Sequence, residues 1–372
     1  MSELSILVDA STLNKEFQGT RTYIKELYCQ LAIRYPEVRV YMAMFPDPTI
    51  EQEFKEISNI GFIALKRIDW LGRMMFEFPS IIRNGNFDFV HFQYTLPFLR
   101  VNNCKYIVTI HDILFNDFPD LFPWAYRLKR NTLFKYAAKN AVLLLTVSRY
   151  SKEKISQKYN VDASKIHVIP NGVNAEYFEP YQKEDQEIFV EKSYGVKNFM
   201  LYVSRVEPRK NQLLVLDEFL KQKKIDELVF IGKRTLDYTD FEARMASLTE
   251  VEKKRIHFFE QVSSEDLLHF LRAAKVFVYP SLAEGFGIPP LEAGAAGIPV
   301  LCSNLTAMQD FTFFKDHFFN PTKPGELGIK LRNLEVLGNP LKLKTIQNEI
   351  KRQYSWSRSA DDLFKLLSKA NP

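Results

Sequence analysis

Glu284 and Glu292 stand with seven residues between them in EGFGIPPLEAGAAGIPV, residues 284–300. Gly285 and Gly287 allow backbone N–H groups to come close to a partner. Pro289 and Pro290 suit a helix start, where a missing N–H costs little. A helix is predicted over 290–296, and Gly297 with Pro299 ends it before a strand at 300–302. A helix N-terminus in such a loop suits a phosphate. Glu292 has two readings: it accepts from a ligand, or it offsets the helix dipole from the first turn. Glu284 precedes the helix, and a carboxylate there can accept hydrogen bonds from sugar hydroxyls.

A second stretch, LYVSRVEPRKNQLLVLDEF, ends a predicted strand and opens a helix. Arg205 and Lys210 fall in the turn between them. A forked guanidinium and a point-charge ammonium together fit a diphosphate, although a solvated charged turn is the commoner fate of such residues. In YIVTIHDILFNDFP, His111 and Asp112 follow a strand; the histidine can donate to a substrate oxygen or simply sit half-buried there. Gly19 lies between the first strand and the first helix. No D-x-D, H-E-x-x-H or paired-cysteine pattern occurs, so no metal site is expected.

These residues need a scaffold of strands with open carboxyl ends. The chain has 372 residues and 46% apolar content, enough for two cores. Its net charge is only +5, which does not indicate a nucleic-acid partner. Three scattered cysteines, Cys29, Cys104 and Cys302, suit a reducing compartment. The N-terminus has no secretory pattern, and a cytoplasmic location is expected. Strands are predicted near 6–9, 38–42, 89–92, 106–110, 142–147 and 166–169, and again near 199–203, 228–231, 256–259, 276–279 and 300–302. Helices are predicted between them, including 22–33, 126–138, 149–159, 212–220 and 264–273. Apolar strands alternating with helices indicate an α/β chain with doubly wound parallel sheets. The reading is a first domain over 1–175, a polar linker over 176–197, a second domain over 198–355, and a C-terminal helix in 356–372. Two such domains leave a cleft at their strands' carboxyl ends.

SRVEPRKN, FVYPSLAEGFGIPPLEAGAAGIPVLCSN, TIHDILFNDFP, LLTVSRYSKEKI and VIPNGVNAEYF resemble, in order, the retaining glycosyltransferases of family 4 (group 1). Among these, the chain looks most like bacterial mannosyltransferases of surface-polysaccharide assembly. The resemblance implies the GT-B fold: two Rossmann-like domains facing across a cleft, the C-terminal helix crossing back to the first. It implies that Arg205 and Lys210 hold a donor diphosphate and that Glu284 sits by the donor sugar. Gly285, Phe286, Gly287 and Ile288 would offer backbone groups, and Glu292 would accept from the ribose hydroxyls. His111 would face the donor sugar, Gly19 would lie near the phosphates, and the segment around Val262 would meet the base. The chain departs from the family in three places. Thr20, Arg21, Thr22 and Tyr23 follow Gly19 with no second glycine. Glu260-Gln261-Val262-Ser263 and Met308-Gln309-Asp310 replace two further family elements.

The expected activity is a retaining, metal-independent hexosyl transfer without a cofactor. The donor would be a nucleotide-sugar, GDP-mannose first and a UDP-sugar as the alternative. The acceptor would be a hydroxyl of a glycan or lipid-linked glycan. An epimerase or a degenerate nucleotide-sugar-binding scaffold are the other readings. Arg127, Lys129, Arg130, Lys135 and Lys139 lie with Trp124, Tyr126 and Phe134 on one segment. Its two readings are a solvated helix face and a peripheral contact with the inner face of the membrane.

Overall fold

The computed structural model describes residues 4–14, 19–101, 103–119 and 122–371. Residues 1–3, 15–18, 102, 120–121 and 372 lie outside those described, among them the residues just ahead of Gly19 and just after the His111 stretch. The chain divides into two units, one made of residues up to Gly172 together with Trp356 onward, the other of Val173–Ser355.

In the first unit, β1 (Leu4–Asp9), β2 (Val38–Met44), β3 (Ile60–Ala64), β4 (Phe89–Gln93), β5 (Lys105–Thr109), β6 (Leu143–Thr146) and β7 (Ile166–Val168) form a parallel sheet. Its order is β3-β2-β1-β4-β5-β6-β7. In the second, β8 (Phe199–Val203), β9 (Glu227–Ile231), β10 (Ile256–Phe259), β11 (Val276–Tyr279), β12 (Val300–Ser303) and β13 (Phe318–Phe319) run in the order β10-β9-β8-β11-β12-β13. Each sheet reverses direction of growth beside its first strand, at β1/β4 and at β8/β11. Loops leaving the carboxyl ends of strands at such a switch point diverge and leave a crevice. The interior strands are buried along their length, as continuous apolar runs require in a sheet covered on both faces.

β3, at the edge of its sheet, is not among the predicted strands. Its apolar run is short and interrupted by Gly61, and four of its residues are only partly buried and Ala64 is exposed, so it carries a weak strand signal. Residues 176–197, expected as a linker, instead hold the helix Lys183–Tyr194. This helix packs in the second unit against helix Ser264–Ala273, where Phe189 stacks on His269 at 4.0 Å and Gln186 pairs with the same ring at 2.6 Å. Only Val190 of this helix is fully buried, which is why the segment reads as polar.

The C-terminal helix Trp356–Ala370 belongs to the first unit and lies on helix Gly19–Arg34. Arg34 forks onto Asp361 at 2.7 and 2.9 Å, and Tyr35 stacks on Phe364 at 3.7 Å. Among the described residues no helix is long and apolar enough to cross a membrane.

Candidate functional site

The second unit builds its site from the loops after β8 and β11. β8 gives way to Ser204 and Arg205, then to a short 3-10 turn, Pro208–Lys210, and to helix Gln212–Lys221. Gly232 ends β9 at φ +145°, and a Cβ there would fall 2.1 Å from the Ser204 carbonyl oxygen. Only glycine lets β9 end this close to the turn that carries Arg205.

Lys210 and Glu284, expected as separate ligand contacts, are joined to each other. Lys210 Nζ donates to Glu284 Oε1 at 2.5 Å and to the Tyr279 hydroxyl at 2.9 Å. Tyr279 in turn donates to Glu284 Oε1 at 2.9 Å, and Ser281 Oγ donates to the same oxygen at 2.7 Å. Arg209, which the sequence did not single out, takes the other oxygen, Glu284 Oε2, at 3.2 Å and reaches Glu207 at 2.9 Å. Tyr202 donates to the Lys210 carbonyl at 2.9 Å and stacks on Tyr279, so a tyrosine near the end of β8 and one at the end of β11 support the pair. Lys210 is 7% exposed and Glu284 8%. Burial by itself would raise the Glu284 carboxyl; Lys210 and Arg209 outweigh it and hold it at about 2. Burial pushes the Lys210 ammonium down, and the Glu284 charge opposes that.

This accounting leaves specific capacity for a ligand. An ammonium has three N–H donors, and two of Lys210's are taken. Glu284 Oε1 is saturated by three donors, whereas Oε2 holds Arg209. Arg205 is exposed, and its guanidinium has no partner among the described residues. It is therefore the free cation of this turn, while Lys210 is already neutralised by Glu284. Removing Lys210 would leave a buried, half-paired carboxylate, a loss of roughly 3–5 kcal/mol.

The helix predicted over 290–296 spans Ile288–Ala295 and is capped by Gly287 at φ +99°. Gly285 does not share that left-handed backbone. A Cβ on Gly287 would meet Met308 Cε at 2.4 Å, so the glycine is required by its own neighbour as well as by its φ. Phe286 buries its ring against Phe311 and Tyr354, leaving its backbone N–H as the group it can offer. The N–H groups of Phe286, Gly287 and Ile288 have no hydrogen-bond partner among the described residues. Pro289 and Pro290 have none to give, so the free donors of this helix end are gathered at 286–288.

Glu292 lies beyond the first turn of this helix, and the dipole explanation lapses. Its carboxyl faces the Tyr177 hydroxyl; burial raises it to about 7, against the hydrogen bond from Tyr177 and with a small push from Glu176. Val262 is half-buried in the turn after β10, just ahead of Ser263, which caps helix Ser264–Ala273. Arg205, Glu292 and Val262 thus stand on separate elements of this unit, outside the Lys210–Glu284 cluster.

In the first unit His111 follows β5 and is buried. Its Nε2 lies 2.8 Å from Gln93 Oε1, and Tyr23 meets its ring edge-on at 4.9 Å. Burial holds it at about 3, so it is neutral at ordinary pH. Asp112 turns away to cap the following residues, accepting from the Leu114 N–H at 3.1 Å. Gly19 is the first residue of its helix and has open space where a Cβ would go. Arg21 on the same helix is buried and binds the Leu13 carbonyl and Glu53.

The chain matches the model of Glycosyltransferase Family 4 over residues 17–177 and that of Glycosyl transferases group 1 over residues 183–315. It is 32% identical over 248 residues to the O-antigen chain mannosyltransferase RfbU of Salmonella typhimurium, covering 66% of this chain and 64% of that protein. It is 29% identical over 215 residues to O-antigen chain mannosyltransferase B of Escherichia coli, covering 55% and 54%. The matched regions thus span under two thirds of those relatives' lengths. Among solved structures, a sucrose-phosphate synthase from Thermosynechococcus elongatus superposes with TM-score 0.76 at 18% identity, over 98% of each chain. Anabaena Alr3699/HepE in complex with UDP superposes with TM-score 0.75 at 16% identity, over 99% of this chain and 100% of that one. These likenesses show a shared GT-B glycosyltransferase fold.

The state of Glu292 gives a measurable pH dependence. Its ordinary value of 4.5 is raised to about 7 in the folded chain, so folding favours the protonated form. Below the ordinary value both states are protonated and nothing is lost. Between about pH 4.5 and 7 the unfolded chain ionises while the folded chain keeps its proton, so stability falls across that window and levels off above it. Glu292→Gln removes that penalty. Its gain in melting temperature over wild type should be near zero at about pH 4, grow between about pH 4.5 and 7, and level off above that. A gain that does not change with pH would contradict the buried, raised carboxyl.

Proposed function

We propose that this chain, which belongs to the GT-B glycosyltransferases that join a family 4 domain to a group 1 domain, moves a hexosyl group from a nucleotide-sugar to a hydroxyl of a glycan or lipid-linked glycan acceptor. The observation that carries this reading is the Glu284 cluster at the β8/β11 switch point. There a carboxylate fixed by four side chains stands next to a row of unpaired N–H groups at 286–288.

In this reading the donor diphosphate is held by Arg205, by the remaining N–H of Lys210 and by the N–H groups at the helix start. Glu284 Oε2 accepts from a hydroxyl of the donor sugar. As the bond from the anomeric carbon to the diphosphate oxygen breaks, its electron pair leaves with the diphosphate. Those donors then stabilise the growing charge without a metal. The ring passes through an oxocarbenium-like state, and the acceptor oxygen attacks on the face the diphosphate left, retaining configuration. The acceptor proton goes to the departing phosphate. Support for that last step comes from charge state: Glu284 at about 2 and His111 at about 3 are both weak bases near neutrality. Glu292 accepts from the ribose hydroxyls when ionised.

GDP-mannose is the proposed donor. The similarity to two O-antigen mannosyltransferases supports it, as does Glu260, exposed after β10 beside Val262. A carboxylate can accept from guanine N1–H and its 2-amino group, a pattern that uracil lacks. The acceptor side is proposed to rest on an anionic membrane surface. Helix Trp124–Asn140 exposes Trp124, Tyr126 and Leu128 along with Lys129, Lys135 and Lys139, and buries Phe134, Ala137 and Ala138 on its other side.

With GDP-mannose, a glycan acceptor and excess chelator, the wild type should turn over, and Arg205→Ala should lose roughly 10²–10³-fold in kcat with its fold intact. Rescue of a dead chelated enzyme by a divalent cation would remove the metal-independent reading. Calorimetry should give tighter binding of GDP than of UDP, with the difference reduced in Glu260→Ala; the reverse order in wild type would refute the donor. The chain should sediment with vesicles of anionic phospholipid, less so with zwitterionic ones and less so as Trp124→Ser/Leu128→Ser; equal sedimentation of all would argue against a membrane face.

A further inference from the structure

His91 and Gln93 alternate onto one face of β4, and Thr109 and His111 follow the same alternation along and past β5. The register pairs Gln93 with Thr109, which brings the four side chains together. Helix Gly19–Arg34 adds Tyr23 and Tyr28, both fully buried. The result is a chain of polar groups inside an apolar core. Tyr28 Oη lies 2.6 Å from His91 Nδ1, and His91 Nε2 lies 2.8 Å from Thr109 Oγ1. Gln93 Nε2 stands 3.4 Å from His91 Nε2, and Gln93 Oε1 stands 2.8 Å from His111 Nε2. Burying this many polar groups is costly, and apolar residues of the same shape would stabilise the sheet as well or better. The network therefore calls for a use other than stability.

Its proton pattern suggests one. His91 Nδ1 is the hydrogen-bond partner of the Tyr28 hydroxyl, whose donor is satisfied when its proton points at that nitrogen. His91 then carries its own proton on Nε2 and gives it to Thr109. Gln93 cannot also donate to that nitrogen, in keeping with the longer 3.4 Å separation. The amide oxygen of Gln93 instead receives the proton of His111 Nε2, leaving His111 Nδ1 with a lone pair. Tyr23 at 4.9 Å and Tyr94 at 5.3 Å close around the same ring.

We propose that Gln93 is a positioning residue that fixes the ring and the proton-bearing nitrogen of His111, packed beside a His91 that Tyr28 and Thr109 clamp. The functional weight of this rests on the reading of His111 as the first-unit group facing the donor sugar. The geometry itself does not depend on that reading.

The test follows histidine nitrogens in the full chain, which has six histidines, by long-range ¹H–¹⁵N NMR, with His111 assigned by its loss in a His111→Ala variant. Wild-type His111 should appear as the neutral Nε2–H tautomer from about pH 5 to 8. Gln93→Leu should mix the two tautomers and lower kcat roughly 10–10²-fold with the KM for donor little changed. Gln93→Glu keeps the acceptor in place and adds a charge. It should retain the Nε2–H and move the titration of His111 up by at least about one pH unit relative to Gln93→Leu. The groups facing the ring in that comparison are His91, Tyr23 and Tyr94. If Gln93→Leu does not fold, the near-isosteric Gln93→Glu decides by the same upward shift measured against wild type. A wild-type Nδ1–H tautomer, or a His111 signal indifferent to both variants, would overturn the proposal. Tautomer shifts as expected in a chain that turns over no nucleotide-sugar would uphold the positioning role and sink the functional reading instead.

Discussion

The buried ion pair of Glu284 and Lys210 is the constraint on which the second unit's site depends. Two charges removed from water are tolerated only when their geometry is good and further hydrogen bonds meet most of the remaining lone pairs and protons. Here the tyrosine at the end of β11 serves both, accepting from the ammonium and donating to the carboxylate. Ser281 and Arg209 complete the carboxylate, and Glu207 balances Arg209. That set is available only because β8 and β11 are neighbours in the sheet although two strands intervene in sequence. The close passage at Gly232 and the left-handed cap at Gly287 then let the turn and the helix start fit around the pair.

The two units keep polar groups in their cores by opposite means. The second uses full charges that cancel, with Arg205 left over at the surface. The first uses neutral groups, Tyr28, His91, Gln93 and His111, whose hydrogen bonds leave burial to hold both imidazoles uncharged at about 3. Apart from Glu292, neither set has much capacity for proton uptake near neutrality. Groups held in this way present fixed dipoles and charges.

Much of the scaffold was legible in the residues because continuous apolar runs separated by helical segments have few other solutions than a covered parallel sheet. β3 and the helix Lys183–Tyr194 were not, since one lies at a sheet edge and the other buries a single side chain completely. In the candidate site, Glu284 and Lys210 stand out in the sequence as charges next to glycine and helix starts. Their partnership does not, because 74 residues separate them. Arg209 was overshadowed by its neighbours in the same turn, and Tyr279 had the look of an ordinary strand aromatic.

The sequence by itself determined which residue types lie at the carboxyl ends of the strands, because periodicity and turn chemistry are local properties. It also determined that Pro289 and Pro290 would leave the helix start with few N–H groups. Only the tertiary structure decided which of those residues are spent on one another and which stay free. Whether Lys210 or Arg205 is the uncommitted cation, whether Glu292 is exposed in a first turn or held against Tyr177, and which nitrogen of His111 has a partner all depend on contacts across strands. Burial and pairing set charge state, and neither is a property of a residue's sequence neighbours.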